Sequence, residues 1–238
     1  MVLPLSEEDT KRHAQLIREY SRIRVNNPDP KIEFIKNGVA KGVYRVGFGE
    51  ESILAAAAAR DVSKRLLPEY NILHTLYAGA PGFFPQPYAH YSSVDKGLGE
   101  LILMECLDHM DIERFNQFKS EVPDYFRKLA YEIGKAVATV NFLTGKYSSE
   151  PHDGNILVKS RGDSVGVKFC DAAQFKIGDM SMAIEAILHD KDMRPECFRF
   201  IPHFRRGILD GMCESSALLP SELQPGLDKE LRKYNPIF

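Results

Sequence analysis

The run His152-Asp153-Gly154-Asn155-Ile156-Leu157-Val158, followed by Val167-Lys168-Phe169-Cys170-Asp171, constrains this chain more than any other stretch. Polar, acidic and amide groups stand directly before a short apolar run, and a second apolar run delivers one aspartate. Two such runs separated by a turn at Arg161-Gly162-Asp163 read as a β-hairpin. The hairpin would hold Asn155 and Asp171 side by side at one end of its strands. An amide oxygen and a carboxylate so placed can share a hard divalent cation such as magnesium, which prefers oxygen ligands in near-octahedral geometry. Nucleotide phosphates bind through such an ion, so the pattern suits a phosphoryl-transfer site. It suits equally an ordinary hairpin with a polar entrance.

A chain of 238 residues is long enough for one large domain or two small lobes with a real core. The formal net charge of -2 points away from nucleic acid as a general partner. Four cysteines, Cys106, Cys170, Cys197 and Cys213, form no C-x-x-C pair, so neither a zinc site nor a disulfide framework is expected. Cys106 and Cys170 lie in apolar runs and read as buried free thiols of a reducing compartment. No apolar stretch is long enough to span a bilayer. Met1-Val2-Leu3-Pro4-Leu5 meets acidic residues at once, which does not read as a cleavable signal peptide. Signals for specialised secretion machinery have no such simple pattern, so that route stays open.

Ser6, with Asp9 three residues on, predicts a helix start and a helix running to about Ile23. One side of it carries Lys11, Arg12, Arg18, Arg22 and Arg24. That side reads either as a docking face for a partner or acidic lipid, or as the solvated face of a packed helix. Asn27-Pro28-Asp29-Pro30 ends it. Strands are expected at Lys31 to Ile35 and Gly42 to Phe48. The loop between them contains Gly38 and Gly42, whose N–H groups could meet phosphate. Ser52-Ile53-Leu54 could open a third strand, but Ala55 to Ala59 favour helix. The strand is therefore expected to be short or absent, with a helix continuing through Arg60, Lys64, Leu66 and Leu67. Pro68 should break or restart it, and Glu69 to Leu76 is helical. Tyr88 to Tyr91 and the apolar run Leu101 to Glu105 are strands. Beyond residue 107 the chain reads as mostly helical. A short helix is expected over Asp111 to Phe118. A long one follows Pro123, with Phe126, Leu129, Ala130, Ile133, Val137 and Val140 on its core face and Gly145 at its end. After the hairpin come helices around Ser181 to His189 and His203 to Met212, then a Pro-punctuated tail.

This order resembles the protein-kinase-like fold over roughly residues 31 to 190. The shared features are a glycine-bearing hairpin, Glu69 on a helix, an apolar strand ending at Met104-Glu105, a long helix and the Asn155/Asp171 hairpin. The resemblance implies an α+β, two-lobed protein-kinase-like fold: a small antiparallel-sheet N-lobe (31–107), a compact, mostly helical C-lobe (108–238) and an N-terminal helical extension (1–30). It implies that Gly38 and its neighbours cover phosphate and that Glu69 orients a phosphate-binding lysine. It implies further that Met104 gates the adenine pocket, that Glu105 to Leu107 form a hinge whose backbone meets adenine, and that Asn155 and Asp171 hold the metal.

Two departures from the family pattern matter. In H-R-D-x-x-x-x-N the base stands five residues before the asparagine. Here that position is Glu150, in Ser148-Ser149-Glu150-Pro151. A variant D-x-H-x-x-N matches His152. Glu150 or Asp153 could accept the hydroxyl proton, while His152 either meets the γ-phosphate or holds its own loop. The usual lysine should sit near Ala55 or Ala56, which are alanines. Lys41, at the start of the second strand, resembles the displaced lysine of with-no-lysine kinases, with Glu69 as its partner; it also reads as an exposed loop lysine. After Asp171, Ala172-Ala173 replaces Phe-Gly, and Gly178-Asp179 resembles a pair found in aminoglycoside-type enzymes.

A compact kinase with a displaced lysine resembles secreted bacterial effector kinases, the HopBF family among them, whose target is host heat-shock protein 90. The expectation is therefore an ATP- and Mg2+-dependent protein Ser/Thr kinase, cytoplasmic or delivered into a host cell. The alternatives are a small-molecule phosphotransferase of aminoglycoside or sugar type, and a pseudokinase acting as a binding module.

Overall fold

The computed structural model describes residues 4–37, 40–48, 53–108, 110–111, 124–152, 154–161, 164–190 and 200–232. It is an α+β protein that divides into two compact units: Met1–His74 with Pro85–Leu107, and Thr75–Phe84 with Asp108–Phe238.

The first unit is built on a five-stranded antiparallel sheet. Its strands are β1 (Lys31–Asn37), β2 (Lys41–Gly47), β3 (Ile53–Ala59), β4 (Pro87–Ser93) and β5 (Gly99–Glu105), in the order β1-β2-β3-β5-β4. Helix α1 (Glu7–Tyr20) starts as its sequence predicts: Ser6 is extended, and its Oγ accepts the Asp9 N–H at 3.0 Å. Glu7, Glu8 and Asp9 in the first turn complement the helix dipole. The helix ends in a π-helical turn, Ser21–Val25, closed by left-handed Asn26. Leu16 and Ile17 pack on Tyr44, Val46, Ala56, Ala58, Leu101 and Leu103, all from one face of the sheet. Alternation along the strands sends Lys41, Val43, Ala55 and Ala57 to the opposite face.

The alanine run is the main correction in this unit. Ala55 to Ala59 form the central strand β3 in full, and the strand ends where the helix was expected to continue. Helix propensity is worth only tenths of a kcal/mol per residue, and two flanking ladders outweigh it. Ala56, Ala58 and Ala59 are fully buried, so the small side chains serve close packing. Residues 60–66 form a turn in which Asp61 Oδ1 accepts from Ser63 N at 2.8 Å. Helix α2 (Leu67–Gly79) follows, with Pro68 in its first turn.

In the second unit, α3 (Tyr125–Thr144) buries Leu129, Ala130, Ile133, Val137 and Val140 and ends at Gly145, whose φ is +64°. It crosses α5 (Ile201–Ser215) at backbone contact. A Cβ on Gly207 would lie 2.0 Å from the Tyr131 carbonyl oxygen, and one on Gly134 would lie 2.3 Å from that of Phe204. Strands β8 (Ile156–Arg161) and β9 (Ser164–Phe169) make the expected hairpin, and β6 (Met110–Asp111) pairs with β8. A second small sheet joins β7 (Lys146–Ser148) to β10 (Phe175–Ile177). Phe84, Phe169 and Phe175 cluster with ring centroids 5.1 to 5.8 Å apart. Helix α4 (Met180–His189) follows β10.

The expected Pro-punctuated tail is instead a helix, α6 (Pro220–Leu231), with Pro225 inside it. Buried Leu227 and Leu231 and an Arg205–Asp228 ion pair hold it to the unit. The tertiary contacts outweigh one missing hydrogen bond. The expected helix over Asp111 to Phe118 falls beyond Asp111 outside the described residues, as do Pro123 and the hairpin tip at 162–163. Cys106, Cys170 and Cys213 are free thiols, half-buried rather than buried. Cys106 and Cys170 each stand one residue past the end of a strand, where burial falls away. No helix among the described residues is long and apolar enough to cross a membrane.

Candidate functional site

Lys41 is the first residue of β2 and stands opposite Ala59 in the ladder. Its Nζ donates to Glu69 Oε1, forming an ion pair between the sheet and the first turns of α2. Both side chains are nearly buried, at 15% and 9% exposure, which excludes the reading of Lys41 as an exposed loop lysine. A pair at this depth loses little to solvent screening, and its geometry must be maintained because a lone buried charge is costly.

The partner helix is held by a buried carboxylate that sequence reading missed. Glu100, 4% exposed on β5, accepts Leu66 N at 2.6 Å and Leu67 N at 3.3 Å, capping the start of α2 from another strand. His90 Nε2 lies 2.9 Å from the same carboxylate. Burial pushes the Glu100 carboxyl up, but the His90 contact and the two N–H donors together bring it below its ordinary value. A glutamate directly before an apolar strand run was the available signal.

Glu105 ends β5. Its N–H donates to the Gln86 carbonyl at 2.8 Å, and its carboxylate accepts the Gln86 N–H at 3.2 Å. Cys106 and Leu107 follow, half-buried and beyond the strand. Met104 pairs with Ala55 on one side and Pro87 on the other.

In the second unit, the Asn155 carbonyl accepts the Cys170 N–H at 3.1 Å, so the main chain brings Asn155 to the end of β9 with Asp171 as the next residue. The Asn155 amide is oriented: Nδ2 donates to the Glu150 carbonyl at 3.0 Å, and its oxygen remains as an acceptor. Glu150 has an exposed side chain. The loop is tied further by Ser149, whose N–H and Oγ both bond the Gln174 carbonyl at 2.9 Å. His152 Nδ1 accepts the Gly154 N–H at 3.1 Å, which is the loop-holding role. Asp171 is half-buried at the start of a 3-10 turn, Ala172–Gln174.

An amide oxygen and a carboxylate are the kind of donor magnesium takes, an ion that keeps water and phosphate oxygens for its remaining positions. Among the described residues no group of three or more His, Cys, Asp and Glu is placed to hold a metal. A cation here would therefore rely on Asn155, Asp171 and its own ligand. Gly38 and Asp153 lie outside the described residues.

Gly178-Asp179 has a structural account. Asp179 Oδ1 caps α4 through Met182 N at 3.0 Å, and the Gly178 carbonyl accepts Asn141 Nδ2 at 2.9 Å. Of the basic helix face, Arg12 turns inward onto main-chain carbonyls, whereas Arg18, Arg22 and Arg24 are exposed.

Compared with models of known protein families and with curated proteins, the chain matches none of them.

Proposed function

We propose that this chain is an ATP- and magnesium-dependent phosphotransferase acting on a protein hydroxyl, an atypical Ser/Thr kinase in a two-lobed kinase-like fold. The observation that carries the reading is the Lys41–Glu69 pair, because it joins the two residues to which the kinase-like resemblance assigned phosphate binding and its orientation. An ammonium is a compact point charge suited to phosphate oxygens, and Glu69 fixes its position at the start of β2. In the second unit, Asn155 and Asp171 would hold the metal. When bound, the metal supplies neutralisation of charge on the transferring group. Adenine would meet the main chain at Cys106 and Leu107, since the Glu105 N–H is committed to Gln86. Glu150 or Asp153 would accept the hydroxyl proton, and His152 ties its own loop through the Gly154 N–H.

The resemblance to effector kinases makes host heat-shock protein 90 the first acceptor to try. Support for the small-molecule reading is weaker than the sequence implied, because Gly178-Asp179 is explained by helix capping. The test is incubation of the full chain with γ-labelled ATP and magnesium, beside a protein panel and an aminoglycoside and sugar panel. The expected result is labelled protein, lost with Lys41→Met and with Asp171→Ala. Transfer by Asp171→Ala at the wild-type rate would show the metal assignment to be wrong. Label on a small molecule selects the second reading, and ATP binding without transfer selects the pseudokinase.

A further inference from the structure

We propose that helix α1 controls the Lys41–Glu69 ion pair, with Arg12 and His13 as positioning residues acting through the main chain of the sheet. Its bearing on activity rests on the phosphate-binding reading of Lys41; the mechanical coupling does not.

Arg12 spends its guanidinium on backbone. Nη1 donates to the Leu98 carbonyl at 2.9 Å, and Nη2 donates to those of Ala59, at 3.0 Å, and Arg60. Asp9 Oδ1, 3.1 Å from Nη2, holds the group in place. His13 is fully buried and lies 2.9 Å from the Ala59 carbonyl through Nε2 and 2.9 Å from the Tyr44 hydroxyl through Nδ1. A carbonyl only accepts, so the Ala59 contact is a hydrogen bond in the tautomer that carries its proton on Nε2, with Nδ1 then accepting from Tyr44; Arg12 Nη2 lies 3.2 Å from the same Nε2.

These contacts surround one point of the sheet. Ala59 is the ladder partner of Lys41. Arg60, the next residue, donates its N–H to the carbonyl of Ala40, directly before Lys41. Gly42, directly after Lys41, lies against the helix: a Cβ there would be 2.7 Å from Leu5 Cδ1 and 3.1 Å from His13 Nδ1. The backbone before, after and opposite Lys41 is thus held by α1 or by a residue that α1 holds. Lys41 itself faces away from α1, so the helix reaches the ammonium only through the strand. Releasing Arg12 leaves the end of β3 to fray, and local opening of this kind is set by the contacts that close it.

The other end of α1 is anchored separately. Glu19 accepts from Tyr91 Oη at 2.7 Å, Ser93 Oγ at 3.0 Å and Lys96 Nζ at 2.7 Å, on β4 and the turn after it. One helix therefore offers two anchors, and only the first lies at Lys41.

The test is limited acetylation of the full chain, reading Lys41 modification by peptide mass spectrometry against exposed Lys176. Arg12→Ala should raise Lys41 labelling by roughly threefold or more, as local opening would. Glu19→Gln, compared at an equal margin below its own melting midpoint, should leave it unchanged. Arg12→Lys keeps the charge but cannot span three carbonyls; an intermediate rise is expected, and it serves if Arg12→Ala does not fold. An equal rise in the Arg12 and Glu19 variants, or no rise with either Arg12 variant, overturns the proposal. A parallel arm adds Mg-ATP to the wild type. Failure of nucleotide to protect Lys41 counts against the phosphate-binding reading alone.

Discussion

The side-chain amide of Asn155 donates to the main-chain carbonyl of Glu150 at 3.0 Å, so the residue five positions before the asparagine helps to aim it. The bond uses the Glu150 backbone, and the carboxylate is exposed and not part of it. Orientation of the asparagine and proton acceptance can therefore be separated by mutation.

Glu150→Gln should keep Asn155 in place and remove only the acid. With Glu150 as base, kcat should fall by about 10²- to 10⁴-fold, the usual worth of a general base, with the KM for ATP unchanged. Asp153→Asn should then cost much less. Steady-state kinetics on both variants decides the assignment, and the opposite ranking gives the base to Asp153.

Acid should loosen the first unit in two separate windows. Burial lowers the His13 pKa, with the neighbouring Arg12 guanidinium and Arg60 acting in the same direction against the Ala59 hydrogen bond and Asp9. A histidine depressed in the folded state binds more protons when unfolded. Its contribution is complete above the unfolded pKa near 6.5 and is lost as pH falls through the lower folded value. Glu100 is also depressed, from a carboxylate value, so its loss begins only below about 4.5. Urea midpoints from pH 7.5 to 5 should fall at constant m-value, and His13→Gln should flatten the slope. A flat wild-type profile over that range would contradict a buried, neutral His13.

Two glycines in helices of the second unit should respond in opposite directions to alanine. At Gly207 the new Cβ would lie 2.0 Å from the Tyr131 carbonyl, so α3 and α5 must separate. The expected loss is about 2–3 kcal/mol, overpacking outweighing the gain in helix propensity. At Gly226, in α6, nothing lies within 4 Å of the new Cβ. There Ala should stabilise by about 0.5–1 kcal/mol. Urea denaturation of both variants checks the pair; equal signs would disprove the packing described for the α3–α5 crossing.

Local chemistry determined a good deal by itself. The Ser6 cap, the stop at Gly145, the core face of α3 and the hairpin carrying Asn155 and Asp171 follow from capping groups, glycine conformation and apolar spacing within a few residues. Lys41 and Glu69 could be paired in advance only through the family resemblance, and their ion pair is formed across 28 positions of sequence. Tertiary structure alone decided the rest. Ala55 to Ala59 became a strand because two neighbouring strands and a covering helix outweigh a per-residue preference. Pro225 was accepted inside a helix because Leu227, Leu231 and Asp228 find partners in the folded unit. Arg12, His13 and Glu100 drew no separate notice in sequence, since their roles depend on carbonyl and N–H groups dozens of residues away. Such groups become neighbours only when the sheet has formed, and no periodicity in the chain encodes them.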